Sequence, residues 1–288
     1  MTEPLALERN RLAVLRDLVE RGLEELLPDA GDPPHRLHAA MRYAVLSPGK
    51  RIRPILALLS AQQLGCPLAD VLPAACALEM IHSASLVLDD LPCMDDADTR
   101  RGQPSVHVRY GEDVAVLTGV ALLNEAFAVV SRAPHLNDAA KVAMTALLSR
   151  TVGTGGLIGG QDKDLRAAPE PTLGFLSQLH HEKTGVLFIA AVEVGALAAG
   201  ASPGAVQALR VFARELGLAF QAFDDLDDEA DLEAGRAGVN MLSVLGRDAL
   251  RDEAARRLSD AKAALVEGGP ELAPLGGYVD LLFRRATA

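Results

Sequence analysis

Tryptophan is absent from the 288-residue sequence, and only three tyrosines, seven phenylalanines and three cysteines are present. Cys66, Cys76 and Cys93 form no C-x-x-C pair, and an odd number of cysteines gives no disulfide framework. Such cysteines fit a reducing compartment. Basic residues are also scarce: 28 Lys and Arg stand against 39 Asp and Glu, for a formal net charge of −11. This balance argues against a nucleic-acid partner, because a phosphate backbone requires a basic surface.

The distribution of charged and apolar residues does not indicate a targeting segment or a membrane-spanning segment. The first 22 residues are charged throughout and contain no apolar core, unlike a signal peptide. The longest apolar stretch, 185–206, contains Glu193 and a Ser-Pro-Gly turn at 202–204, which argues against a membrane-spanning helix. With 49% hydrophobic and 23% charged residues, the composition is that of a soluble globular protein, and we expect it in the cytoplasm.

Helical periodicity dominates the sequence. Apolar positions recur at helix spacing, as in the stripe of Leu12, Leu15, Val19, Leu23 and Leu26. No Asn-Gly or Asp-Gly hairpin turn separates alternating apolar runs, so β-strands have little support. We predict an all-α bundle of about ten helices, each of roughly ten to twenty-five residues. No repeat or long linker divides the chain, so we expect a single domain over residues 1–288.

Two segments, residues 68–90 and 205–226, differ from the amphipathic rest because they are apolar on most faces. A helix of this kind belongs in the core, surrounded by other helices. Each segment ends in an acidic cluster, with the sequence DDLPCMDD at 89–96 and DDLDD at 224–228. The sequence therefore places two concentrations of negative charge at the ends of two buried helices.

These acidic clusters predict bound divalent cations. Desolvated carboxylates are costly unless something compensates them, and an all-oxygen carboxylate set suits Mg²⁺. Asp224 and Asp228 lie four residues apart and share a helical face. In the first cluster Pro92 disfavours helix, so we expect Asp95 to return to Asp89 through a turn. Solvated acidic loops are the alternative for either cluster alone.

Three basic segments supply the cationic half of such a site: 49–54 (GKRIRP), 100–102 (RRG) and 180–185 (HHEKTG). Arginine offers planar paired donors to phosphate and lysine a compact charge, so the mixture suits a diphosphate. Each segment on its own is more often a solvated surface charge. Their combination with two acidic clusters favours a site for a diphosphate bound through metal ions.

Five segments, taken in order, resemble the motifs of the trans-polyprenyl diphosphate synthases: 49–54, 82–102 (HSASLVLDDLPCMDDADTRRG), 159–165 (GGQDKDL), 181–185 (HEKTG) and 220–228 (FQAFDDLDD). The likeness extends over about residues 35–246, and the Pro92-Cys93 insertion is similar to the short-chain enzymes of bacteria and plants. Such enzymes include geranylgeranyl and farnesyl diphosphate synthases. The resemblance implies the all-α isoprenoid synthase fold around a central cavity, in a homodimer.

The resemblance also implies residue roles, carried over position by position. About three Mg²⁺ ions would be bound, two by Asp89 and Asp95 with Asp90 in support, and one by Asp224 with Asp225 and Asp228 behind it. Isopentenyl diphosphate would be held by Lys50, Arg53, His82 and Arg101. The allylic diphosphate would contact Arg100, Lys183 and Gln221, in a site that Thr184 helps to shape. The implied catalytic set is Asp89, Asp90, Asp95, Lys183, Asp224 and Asp225.

The implied reaction is the condensation of isopentenyl diphosphate with dimethylallyl, geranyl or farnesyl diphosphate by ionisation, condensation and elimination. The product length would be set below Asp89. Ser85 lies about 6 Å and Ala84 about 7.5 Å along the helix from Asp89, and family members that stop near fifteen carbons have bulky residues there. Both are small here, so we expect geranylgeranyl diphosphate, with farnesyl diphosphate as the alternative.

One segment departs from the family pattern. The run 229–243 is shorter than expected, and Val239 stands where a lysine is usual. This leaves open a non-catalytic subunit of a heteromeric synthase, although both aspartate clusters are complete. A terpene cyclase is a third reading, but it needs no isopentenyl site, so Lys50, Arg53 and Arg101 favour condensation. A plain helical scaffold gives no reason for the acidic clusters.

Overall fold

Segments rich in alanine, leucine, glutamate and arginine form helices, and proline and glycine lie between them. The computed structural model describes residues 3–166, 172–227 and 240–283, with side chains from residue 10 onwards. The helices are α1 (Glu3–Leu26), α2 (His35–Leu46), α3 (Ile52–Gln63), α4 (Leu68–Asp89), α5 (Val106–Tyr110), α6 (Glu112–Arg132), α7 (Asp138–Val152), α8 (Leu157–Asp164), α9 (Leu173–His180), α10 (Val186–Ala199), α11 (Pro203–Asp227), α12 (Met241–Leu245), α13 (Arg247–Gly268) and α14 (Leu275–Phe283).

The prediction of an all-α fold is confirmed. Within the described ranges, nine helices have ten or more residues, close to the predicted number. A π-helical turn, His181–Gly185, joins α9 to α10. The remaining regular structure of the described residues is a short antiparallel ribbon of β1 (Thr99–Arg100) and β2 (Gln103–Pro104), directly after the first acidic cluster.

Helix α4 forms the centre of the bundle. It packs against α1, α2, α3, α6 and α10, and most of its residues from Val71 to Val87 are buried. Helix α10 approaches α3 closely through Gly195, where a Cβ would lie 2.5 Å from the carbonyl oxygen of Ala57. This close packing fixes α10 against α3, the helix that carries Arg53, and α3 in turn packs against α4.

Helix α11 differs from its prediction. Residues 205–226 do form a helix, and Asp225 near its end is buried. However, α11 is amphipathic rather than apolar on most faces. Arg210 and Arg214 are exposed and pair with the buried carboxylates of Glu193 and Glu215. The many alanines and leucines of the segment conceal this polar stripe in a count of composition, whereas the helical spacing of its arginines shows it.

Two described helices, α4 and α6, are long and apolar enough to cross a membrane by length and composition alone; 67% and 44% of their apolar windows are buried. The core position of α4 accounts for its composition, because a helix surrounded by other helices is apolar on all faces. Helix α6 keeps an apolar surface, where Val116, Leu117 and Val120 are 44%, 55% and 58% exposed.

Candidate active site

The first acidic cluster forms a tight turn at the end of α4. Helix α4 ends at Asp89, and the backbone N–H of Asp95 donates to the carbonyl of Asp89 over 2.9 Å. The N–H of Met94 donates to the carbonyl of Leu91 over 2.8 Å, and Asp96 has a positive φ of 49°. The chain thus returns Asp95 beside Asp89, as the position of Pro92 predicts.

The paired aspartates Asp89 and Asp90 face different surroundings. Asp89 lines two cavities, and burial raises the pKa of its carboxyl to about 6, with Lys183 and Asp95 acting in opposite directions. Asp90 is buried and accepts two hydrogen bonds from Arg100, of 2.9 Å from Nε and 2.5 Å from Nη2. Asp90 therefore orients Arg100, whereas Asp89 presents its carboxylate to the cavities.

In the second acidic cluster too, one aspartate lines a cavity and its neighbour is buried and hydrogen-bonded. Asp224 lines a cavity together with Lys50 and Arg53. Asp225 is buried and accepts hydrogen bonds from Nε2 of Gln221 (3.0 Å) and from the backbone N–H of Met241 (2.9 Å), which ties α11 to α12. Asp228 and residues 229–239, with Val239, lie outside the described residues.

A cationic cavity of about 520 Å³ contains the four residues that the family resemblance assigns to isopentenyl diphosphate, namely Lys50, Arg53, His82 and Arg101. Burial lowers the pKa of Arg53 to about 10, and its Nε has no hydrogen-bond partner among the described residues. Burial and the surrounding arginines, Arg53 first among them, lower the pKa of His82 well below its ordinary value, so this imidazole is neutral.

Aromatic rings contact two of these cations, and a glycine leaves room for a third. The Lys50 ammonium lies 5.6 Å from the ring centre of Phe220, and the Arg53 guanidinium 5.1 Å from that of Phe188, within the range of cation–π attraction. A Cβ on Gly49 would lie 2.7 Å from Nη1 of Arg101. Only glycine lets Arg101 lie over this turn without displacement.

A second cavity, of about 420 Å³, joins the two acidic clusters, since both Asp89 and Asp225 line it. The π-helical turn directs Lys183 and Thr184 into this cavity, where Gln221 also lies. Burial lowers the pKa of Lys183, but the carboxylates of Asp164, Asp89 and Asp95 outweigh burial and raise it. The Lys183 ammonium is therefore charged beside Asp89.

Two ion pairs fasten the π-helical turn to α8. Lys183 pairs with Asp164, and Lys163 contacts both carboxylate oxygens of Glu182, at 2.6 and 2.7 Å. Gly160 allows the close approach, because a Cβ there would lie 2.9 Å from the backbone nitrogen of Lys183. The motifs at 159–165 and 181–185 thus form one structural unit beside the two acidic clusters.

An apolar cavity of about 270 Å³ opens beneath Asp89 and Ser85, two residues that it shares with the second cavity. Its lining comes from α4, α6, α7 and α8 and includes Ile81, Leu88, Leu123, Val152, Leu157, Ile158 and Leu165. Both polar atoms of the Gln161 amide are buried there without a hydrogen-bond partner among the described residues. An elongated apolar group attached to an anionic head fits this arrangement.

The two residues expected to limit chain length lie in different surroundings. Ser85 lines the apolar cavity, but Ala84 is fully buried in the main hydrophobic core and is not among the residues that line it. Successive helix residues are about 100° apart, so Ala84 is turned away from the face that Asp89 and Ser85 share. A floor built at Ala84 therefore finds no support in this geometry.

Comparison with known proteins identifies this arrangement. The polyprenyl synthetase family profile matches residues 34–235. The chain belongs to the polyprenyl synthetase family. A geranylgeranyl diphosphate synthase from Pantoea ananas is 41% identical over 257 residues, which cover 86% of this chain and 84% of the relative. This polyprenyl synthetase is accordingly an enzyme, a prenyltransferase, as the sequence motifs predict.

Solved structures agree with the family and the fold. An FPP/GFPP synthase from Zymomonas mobilis has a TM-score of 0.86 at 34% identity and covers 98% of this chain and 99% of its own. A geranyltransferase from Legionella pneumophila has a TM-score of 0.91 at 32% identity and covers 99% of this chain and 100% of its own. The isoprenoid synthase fold expected from the motifs is confirmed.

The carboxylates of this polyprenyl synthetase fit magnesium. In ranges 3–166, 172–227 and 240–283, no three His, Cys, Asp or Glu side chains converge on one cation position. Mg²⁺ does not need such a cage, because proteins bind it through one or two carboxylates together with substrate phosphates and water. Asp89, crowded by Asp95 and partly desolvated, offers carboxylate oxygens of this kind.

Several residues of the site escape sequence reasoning. Phe188 and Phe220 hold cations, and Asp164 holds Lys183. Phe220 lies one turn before Asp224 on α11, and Asp164 belongs to the motif at 159–165, so spacing gives some signal for both. Nothing in the local pattern indicates Phe188, because its contact joins α10 to α3.

Proposed function

We propose that the chain is a short-chain trans-prenyltransferase that condenses isopentenyl diphosphate with allylic diphosphates, with geranylgeranyl diphosphate as its product. The observation that carries this proposal is the meeting of three cavities along one face of α4. A cationic cavity, a cavity with acidic rims and an apolar cavity are linked through His82, Ser85 and Asp89. Two diphosphates and a growing hydrocarbon need these three environments side by side.

The cationic cavity is assigned to isopentenyl diphosphate. Lys50, Arg53 and Arg101 supply positive charge and paired donors, and the buried Arg53 Nε gains a partner when a diphosphate oxygen binds. The neutral His82 supplies a hydrogen bond without further charge. These contacts hold the double bond of isopentenyl diphosphate against the reacting end of the allylic substrate.

The second cavity is assigned to the allylic diphosphate. Lys183, Arg100 and Gln221 line it and contact the leaving diphosphate, and Thr184 donates to Oε1 of Gln221 over 3.1 Å, which orients the amide. Mg²⁺ would be held by Asp89, Asp95, Asp224 and Asp228, with Asp90 and Asp225 orienting the surroundings, and when bound it neutralises the diphosphate charge. The Lys183 ammonium stabilises the same developing negative charge.

The apolar cavity excludes water from the reacting carbons. When the allylic C–O bond breaks, its electron pair leaves with diphosphate; the double bond of isopentenyl diphosphate then forms the new C–C bond, and a proton is lost. Water would trap the allylic cation, so a dry lining such as Ile81, Leu123 and Val152 is required. The product chain extends between α4, α6 and α7 as it grows.

Product length follows from the small side chain of Ser85, which leaves the cavity open towards Ile81. The relative from Pantoea ananas is a geranylgeranyl diphosphate synthase, and this supports a twenty-carbon product. Farnesyl diphosphate is the second candidate, because the structural neighbour from Zymomonas mobilis carries FPP in its name and helices other than α4, such as α6 with Leu123, also line the cavity.

We further propose that the enzyme is a cytoplasmic homodimer whose subunits each form a single domain over residues 1–288. The exposed apolar face of α6, with Val116, Leu117 and Val120, is the surface that a second copy covers. Burying such a face stabilises association by removing apolar area from water.

The function is tested with the purified chain alone. Incubation with Mg²⁺, isopentenyl diphosphate and each allylic diphosphate, followed by dephosphorylation and chromatography, should yield mainly geranylgeraniol. Mainly farnesol would replace the product assignment with the second candidate. Conversion of an allylic diphosphate without consumption of isopentenyl diphosphate would indicate a cyclase, and no turnover by the chain alone would indicate a non-catalytic subunit.

A further inference from the structure

Arg51 stands in the middle of the basic segment 49–54, yet the site described above gives it no role. Its neighbours Lys50 and Arg53 offer their side chains to the cationic cavity; Arg51 also borders this cavity, but its side chain is 0% exposed and is engaged elsewhere. The backbone of Arg51 has φ 51° and ψ 36°, in the left-handed region, at the residue directly before α3. A non-glycine residue adopts this conformation only when its surroundings hold it there.

The surroundings of Arg51 are two carboxylates and a carbonyl. Nε and Nη2 donate to Glu20 of α1 over 2.7 and 3.1 Å, and Nη1 donates to Glu79 of α4 over 2.7 Å. Nη2 also donates to the carbonyl of Ser47, over 2.9 Å. One guanidinium thus connects α1, the end of α2 and α4 to the turn before α3.

Charge balance makes this connection specific to arginine. Burial by itself lowers the pKa of Arg51, but the hydrogen bonds and charges of Glu20 and Glu79 outweigh burial and raise it. Arginine alone offers a planar fork with donors for two carboxylates at once, and lysine cannot reproduce it. Glu79 is 1% exposed, so without Arg51 this buried carboxylate would lose its hydrogen-bonded ion-pair partner.

Glu79 connects this cluster to the cationic cavity. It lies three residues before His82 on α4, and both residues line the cavity, together with Arg51. The charge of Glu79 also acts on Arg53 and Arg101, whose pKa values it raises against the effect of burial. A free carboxylate here would repel a diphosphate, and its pairing with Arg51 removes most of that repulsion.

We propose that Arg51 is a positioning residue for isopentenyl diphosphate. Together with Glu20 and Glu79 it holds the left-handed turn from which Lys50 and Arg53 reach the substrate, and it makes the N-terminal helix α1 part of the substrate site. This inference rests on the proposed function, since it assigns a support to the isopentenyl cavity. Arg51 is not expected to contact the allylic diphosphate.

The test uses Glu20→Gln in the full chain, because the Glu20 side chain is 37% exposed and its loss leaves the buried Arg51–Glu79 pair intact. Glu25→Gln, on an exposed face of the same helix, is the matched control. We expect the KM for isopentenyl diphosphate to rise roughly tenfold in Glu20→Gln, the effect of a misplaced binding group. The KM for the allylic substrate and kcat should stay within about twofold, and the control should match wild type.

Arg51→Lys serves as a second variant. For wild type and both variants, Kd for isopentenyl diphosphate is measured by calorimetry and folding is followed by circular dichroism. Retained helicity with a Kd raised more than in Glu20→Gln supports the proposal. Equal rises in both KM values, or an unchanged Kd in both variants, would overturn it while leaving the proposed function intact. Failure of the wild-type chain to bind or consume isopentenyl diphosphate would overturn both.

Discussion

Replacing Ser85 with phenylalanine tests whether the apolar cavity holds the growing chain. Along α4, Ser85 lies one helical turn, about 6 Å, from Asp89, and Ile81 lies about 12 Å from Asp89. All three residues line the cavity. A phenyl ring at residue 85 would fill the space of the last five-carbon unit. Burial of five carbons is worth about 4 kcal/mol at ~0.8 kcal/mol each. Its loss corresponds to roughly 10³-fold, at about 1.4 kcal/mol per tenfold change.

The assay compares separate condensation steps in the Ser85→Phe variant. We expect kcat/KM for farnesyl diphosphate as the allylic substrate to fall by about 10²- to 10³-fold, while dimethylallyl diphosphate is still converted at close to the wild-type rate. Chromatography of dephosphorylated products should then show mainly farnesol in place of geranylgeraniol.

Ala84→Phe is the matched control, because Ala84 is fully buried in the core. Overpacking there should destabilise the fold by about 1–3 kcal/mol and lower Tm, without a selective loss of the last condensation. Product shortening by Ala84→Phe together with unchanged products from Ser85→Phe would refute the placement of the chain. It would restore the floor that sequence reasoning assigns to Ala84.

Three further predictions concern the π-helical turn, the dimer and the metal. Gly160→Ala should displace Lys183 and lower kcat by roughly 10²-fold, because its Cβ would lie 2.9 Å from the backbone nitrogen of Lys183. The control is Gly277→Ala, whose Cβ meets no atom within 4 Å and which should leave kcat unchanged. Equal rates in the two variants would contradict the packing of Gly160 against the π-helical turn. Leu117→Asp should sediment as a folded monomer and Val266→Asp, a substitution at another exposed apolar position, as a dimer; a dimeric Leu117→Asp protein would exclude the α6 face. Removal of divalent cations with EDTA should abolish isopentenyl consumption and Mg²⁺ should restore it, so turnover in EDTA would disprove the metal assignment.

The sequence predicts the fold and the chemistry of the site better than it predicts contacts across the bundle. Local rules predict the turn that returns Asp95 to Asp89, because Pro92 disfavours helix at the residue before it. Likewise, the helical spacing of His82, Ser85 and Asp89 places them on one side of α4, where the cavities meet.

Contacts between distant segments are not predictable in the same way. The contact of Arg51 with Glu20 spans 31 residues, and no local periodicity specifies which carboxylate an arginine reaches. The divergent surroundings of Asp89 and Asp90 have the same origin, because Arg100 reaches Asp90 through the β1–β2 ribbon. The distance of Ala84 from Asp89 along α4 predicts a residue on the flank of the cavity, and the local pattern does not show that neighbouring helices bury Ala84 in the core.

The arrangement of α4 as a shared wall has a consequence for how such enzymes can diversify. Glu79 and His82 line the cationic cavity, on the head-group side of the proposed site, and Ile81 and Leu88 line the apolar cavity, on its tail side. Substitutions on the tail side can therefore alter how long a product becomes while the reaction chemistry continues unaltered. Because one helix carries both sets of residues, evolution or engineering can change the lining of the apolar cavity while the catalytic residues stay in place.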